Sequence, residues 1–107
     1  MLYKFKSKVT GDVIMLEPNG RRVLEIIGKS TEPKGIVLPE QMDAALSSLQ
    51  AAIEAAEAAR QAEVKEARLR GEDPPPQEAV SLRTRVHPFM EMLRACKASN
   101  NSITWGA

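Results

Sequence analysis

The chain has 107 residues, enough for one domain, residues 1–107, with a single modest core and no room for a second. Its apolar fraction of 43% and charged fraction of 27% are those of a soluble globular protein, and fifteen Lys and Arg against fourteen Asp and Glu leave a net charge of +1, so no overall field advertises a nucleic acid or a membrane. One Cys excludes an intramolecular disulfide and one His falls far short of a zinc ligand set; no cofactor or metal is expected, and a reducing, cytoplasmic compartment suits the composition.

The first residues interleave charge with apolar side chains, which is not a secretory signal, and no apolar stretch approaches the roughly 20 residues of a membrane span. Residues 2–9 alternate, with Tyr3, Phe5, Ser7 and Val9 on one side and Leu2, Lys4, Lys6 and Lys8 on the other, the period of a half-buried strand. Gly11-Asp12 reads as a turn, and Val13-Ile14-Met15-Leu16 as the second strand of a hairpin. Pro18-Asn19-Gly20 ends that segment. Asn19 then caps a short helix with Val23, Leu24, Ile26 and Ile27 near one face, and Gly28 closes it. Ser30 to Leu38, with Pro33 and Gly35, reads as a loop.

From Pro39 to about Arg70 there is no Gly or Pro, and Ala, Glu, Gln, Leu and Arg abound, which predicts the dominant helix. Its apolar stripe, Met42, Leu46, Leu49 and Ile53, dwindles to Ala56, Ala59, Val64 and Ala67, so only the first half can anchor strongly. Residues 71–79, with Pro74-Pro75-Pro76, form a stiff linker. Ser81 caps a last helix striped by Leu82, Val86, Phe89, Leu93 and Cys96, with a kink expected at Pro88, and Asn100-Asn101 turns the chain out of it. Ile103 and Trp105 share one face of a closing strand. The expected fold is helix-dominated α+β: a long helical hairpin packed with a short helix and a small antiparallel sheet from the N-terminal hairpin and the C-terminal strand. Charge supports the helix pairing, since residues 36–79 carry a net −5 between flanks of +3 each.

Few residues suggest chemistry. Gly28-Lys29-Ser30 imitates the end of a phosphate-binding loop, but Val23 stands where that loop needs Gly. His87 and Cys96 are nine residues apart, which places them on opposite sides of a regular helix. Cys96 shares the stripe of Phe89 and Leu93 and reads as a core residue, His87 as a polar side chain beside Pro88. Met15, Met42, Met90 and Met92 read more readily as core filling than as an adaptable groove. Lys4, Lys6 and Lys8 form a basic stripe, to which Arg21 and Arg22 can add, and are the candidate anion-binding residues; guarding a sheet edge is the blander role for the lysines.

The ordered segments Met1-Leu2-Tyr3-Lys4-Phe5-Lys6-Ser7-Lys8, Asp12-Val13-Ile14-Met15, Pro39-Glu40-Gln41-Met42-Asp43-Ala44-Ala45, Val80-Ser81-Leu82 through Pro88 to Met92-Leu93, and Trp105-Gly106 are similar to those of a family of short uncharacterised bacterial proteins known only as a domain of unknown function. The resemblance spans nearly the whole chain except the Ala-rich stretch and the proline linker. It implies no reaction, cofactor or functional residue. The expectation is therefore a small cytoplasmic protein-interaction or self-associating module without catalytic activity, using the hairpin and the Ala/Glu-rich arm of residues 54–70 as contact surface. The alternative is weak nucleic-acid or anionic-ligand binding through Lys4, Lys6, Lys8, Arg21 and Arg22.

Overall fold

A computed structural model describes residues 2–77 and 80–106. Strands β1 (Leu2–Lys6) and β2 (Val13–Leu16) form the hairpin, helix α1 (Glu17–Ile26) follows directly, and a three-residue strand β3 (Gly35–Val37) leads through a 3-10 turn (Pro39–Gln41) into α2 (Met42–Leu69). Helix α3 (Leu82–Ser99) and strand β4 (Ile103–Trp105) complete the chain. The sheet is antiparallel throughout, in the order β2-β1-β4-β3. The α+β class and the joining of both chain ends in one sheet are as the residue pattern predicts.

Four expectations are corrected. The segment 30–38 is not all loop, because Gly35, Ile36 and Val37 pair with Trp105, Thr104 and Ile103. β1 stops at Lys6, not Val9: the Ser7 hydroxyl accepts from the backbone N–H of Val9 and Thr10 and bonds the Thr10 hydroxyl at 2.7 Å, curling the chain out of the sheet. Asn19 is not a cap. α1 begins at Glu17 with Pro18 in its first turn, where a proline sacrifices no helical hydrogen bond, and Asn19 Oδ1 instead accepts from Arg85 at 3.2 Å. The long helix begins at Met42, since the Gln41 side chain takes the Leu38 N–H and the Lys29 ammonium and holds Pro39–Gln41 in the tighter turn. Of the linker 71–79, residues 78 and 79 lie outside the described residues.

The helix ends follow backbone chemistry. All three helices terminate in paired reversed hydrogen bonds around a left-handed residue, Gly28, Gly71 or Asn100, the conformation glycine adopts freely and asparagine tolerates. Ser81 caps α3 by accepting from the Thr84 N–H at 3.2 Å. α2 and α3 lie antiparallel: Asp43 in the first turn of α2 pairs with Lys97 in the last turn of α3, and Glu57 with Arg83 at the start of α3.

The core fills the space between these helices and the inner face of the sheet. Tyr3, Phe5, Met15, Val37, Ile103 and Trp105 point inward and meet Leu24 of α1, Leu49 and Ile53 of α2, and Phe89 and Leu93 of α3. Phe5 stands at the centre, its ring 4.8 Å from that of Phe89 and 5.7 Å from Trp105. Leu49 and Leu93 are wholly buried, as the pairing of the two helical stripes requires. Past Ile53 no large apolar side chain of α2 enters the core and α2 overhangs its partner, giving the molecule a long axis of 52 Å. The overhang is not bare: after Gly71 the proline segment runs back beside it, Arg60 donates to the Pro75 carbonyl, and Ala67 is buried.

Candidate interaction surface

Helices cover only one face of the sheet. The other is built by the residues alternating with the core set: Leu2, Lys4 and Lys6 on β1, Ile14 and Leu16 on β2, Ile36 on β3 and Thr104 on β4. The pairing places Leu2 opposite Leu16, Lys4 opposite Ile14, and Thr104 between Lys6 and Ile36. Leu2 is 56% exposed, Ile14 56%, Leu16 63% and Ile36 42%. An apolar strip along the β2 side thus adjoins two lysines, and no acidic side chain belongs to the described strands.

Beside Leu2 the face dips into an open hollow of about 370 Å³ lined by Lys4, Lys6, Lys34, Pro33 and Gly106. Its shape depends on an absent side chain. Gly106 has φ +75°, and a Cβ there would collide with the Pro33 carbonyl. The loop that brings Lys34 to the hollow is held by two side chains of the core, since the Tyr3 hydroxyl donates to the Thr31 carbonyl at 2.8 Å and the Trp105 indole N–H to the Glu32 carbonyl at 3.1 Å.

The basic stripe is brought together only in part. Lys4 and Lys6 share the open face, and Lys34, which the sequence did not single out, joins them. Lys8 stands in the turn beyond β1. None of these four lysines makes an ion pair among the described residues. Arg21 and Arg22 do not join the stripe. α1 packs Gly20 against the inward-facing Tyr3 ring, so both arginines belong to the helical layer. There Arg21 pairs with Glu17, and Arg22 lines a separate cleft of about 460 Å³ with Arg60 and Arg83, whose own charges are matched by Glu63 and Glu57.

The other singled-out residues fall where their blander readings put them. His87 is exposed and Cys96 buried on different sides of α3. Met15, Met42, Met90 and Met92 are core residues. Among the described residues no group of three His, Cys, Asp or Glu side chains converges as a metal site, and no helix is long and apolar enough to cross a membrane.

A sequence-family model described as a domain of unknown function, DUF1840, matches residues 1–105. The chain belongs to the DUF1840 family. The match takes in every described strand and helix, so the open face lies inside the DUF1840 region, as does the hollow apart from Gly106. No curated protein and no solved structure matches this DUF1840 chain. The segments that carry the family resemblance have structural duties in it: Tyr3 and Trp105 hold the loop before β3, Gly106 fits beneath Pro33, and Met42 and Leu93 lie in the core.

Proposed function

We propose that this protein is a non-catalytic interaction module of the bacterial cytoplasm that docks an acidic protein segment on the open face of its sheet. One observation carries the reading: Leu2, Ile14 and Leu16 adjoin on an uncovered face, with Ile36 at its far border, and the described strands add unpaired lysines and no acid to that face. Monomeric proteins rarely leave a contiguous apolar patch open without a use for it. Lysines beside that patch favour a partner of opposite charge, raising its encounter rate and rejecting basic competitors. The arm of α2 offers less, because the proline segment already covers one side and Leu69 is its one large apolar residue counted among the exposed.

Nucleic acid fits this face poorly. Tyr3, Phe5, Phe89 and Trp105, the only Tyr, Phe and Trp residues, are all buried, so none of these rings is free to stack on a base. A second copy docked face to face fits no better, since sheets stacked about 10 Å apart would set Lys4 and Lys6 against their own counterparts.

The test is a titration of the isotope-labelled chain with a synthetic peptide of alternating Glu and Leu, followed by backbone amide shifts. Binding should move the amides of Leu2, Lys4, Ile14, Leu16, Ile36 and Thr104, weaken as salt is added, and disappear in the double variant Lys4→Glu, Lys6→Glu. Shifts confined to α2 and the proline segment, or equal binding of a Lys/Leu peptide, would remove the proposal.

A further inference from the structure

We infer that the protein forms a two-fold dimer by pairing its edge strand β2 with β2 of a second copy. β2 is one of the two borders of the sheet, and among the described residues nothing hydrogen-bonds its outer backbone edge. Natural edge strands are guarded by lysine, proline, a bulge or a covering element. β3, the other border, follows that rule, being three residues long with Pro33 and Lys34 before it and Pro39 after it. β2 is almost as short, lying between Asp12 and the Glu17-Pro18 start of α1, but beside its free edge it presents two large apolar side chains, Ile14 and Leu16, to solvent.

Charge and register select a second copy and one arrangement. An antiparallel pair centred on Met15 keeps the outer faces of both sheets on the same side and sets Ile14 of each copy opposite Leu16 of the other. Each Ile14 and Leu16 then gains an apolar cross-strand neighbour. Glu17 and Pro18, which come next along the partner, already belong to α1, so the ladder is confined to Ile14, Met15 and Leu16 and no charged residue lies in it. The lysines of β1 stand three strand spacings from those of the other β1, about 14 Å, beyond the ~8 Å screening length at physiological salt. The self-repulsion that disfavours face-to-face stacking is therefore absent. The contact is also isologous and closes on itself, giving dimers and not fibres. Three paired residues a side make a small interface of the weak, transient class. This inference shares Ile14 and Leu16 with the docking proposal but uses the backbone edge of β2 and not the lysines, so the Lys4→Glu, Lys6→Glu pair separates the two.

Sedimentation equilibrium of the full chain decides it. The weight-average mass should rise from 11.7 kDa toward twice that value between about 10 µM and about 1 mM, the range of a weak interface. Ile14→Lys and Leu16→Lys, both at exposed positions, should each hold the protein at the monomer mass. Leu69→Lys on the arm should leave the rise unchanged, and so should Lys4→Glu with Lys6→Glu, the pair that abolishes peptide binding if the docking proposal holds. A mass fixed at 11.7 kDa up to ~1 mM, or a dimer indifferent to both β2 substitutions, overturns the inference. Should the β2 variants fail to fold, amide hydrogen exchange of the unaltered protein decides instead: protection of β2 amides must grow with protein concentration, and constant protection overturns the pairing.

Discussion

Gly35 and Trp105 face each other across the β3–β4 pair with the indole laid over the glycine, so close that a Cβ on Gly35 would occupy the space of the ring. Trp105 is buried and its N–H is committed to the Glu32 carbonyl, so it cannot step aside without losing core contacts and a hydrogen bond. Gly35→Ala should therefore cost about 1–3 kcal/mol, the usual range for overpacking a filled site, and loosen the loop that carries Lys34. Urea unfolding followed by Trp105 fluorescence measures the first effect, and hydrogen exchange in residues 30–34 the second. A neutral Gly35→Ala would mean that the ring is freer than its packing implies.

The joint between α2 and α3 allows apolar packing and charge to be ranked. Leu93 is wholly buried against the α2 stripe, and Leu93→Ala should cost roughly 2–5 kcal/mol. Asp43 and Lys97 tie the same two helices from the surface, with side chains 75% and 48% exposed, so Asp43→Ala should cost at most about 1 kcal/mol. Chemical denaturation of the two variants checks the order. If removing the ion pair cost as much as removing the leucine, burial would not be the main force in the hairpin.

Cys96 offers a probe of opening in the unaltered protein. Its thiol is wholly buried beside Phe89 and Leu93, away from the solvent that a thiol reagent needs. Modification by an aromatic disulfide should be slow in buffer and complete within the mixing time in denaturant. Its rate should follow the unfolding transition measured by circular dichroism. Rapid labelling of the native protein would place Cys96 at a surface that opens locally.

Much of this architecture was legible in the residues because local chemistry and tertiary context agree. Tyr3 and Phe5 alternate with Lys4 and Lys6, so both faces of β1 could be assigned. Ser81, Gly28 and Asn100 mark helix ends by conformations that few other residues favour. β3 was hidden because three residues between prolines carry no period, and their partner Trp105 lies seventy positions away. Pro18 misled because proline stops a helix from within yet suits its first turn. The interaction surface was half visible. The lysines of β1 stood out, but Val13-Ile14-Met15-Leu16 is apolar throughout and gives no sign of which side chains turn to solvent. Lys34 reaches the face only through the unread strand, and Arg21 and Arg22 leave it because α1 packs on the other side.

Pro88 tests how far a local conflict is tolerated within α3. The helix runs unbroken from Leu82 to Ser99 although Pro88 has no N–H for the Thr84 carbonyl. Both residues are exposed, so water can take up that carbonyl, and the cost is smaller than in a dry interior. Phe89, Met90, Met92 and Leu93 follow immediately and are buried, so core packing holds the helix through the missing bond. Pro88→Ala should restore the bond and relieve the ring's crowding of the preceding turn, stabilising the protein by about 1–3 kcal/mol. The midpoint of thermal unfolding should rise by about 4–8 °C for each kcal/mol gained. Calorimetry on both proteins makes the comparison directly. A lower midpoint for the alanine variant would show that the pyrrolidine ring sets the direction in which α3 delivers Phe89 to Phe5, and that the core depends on it.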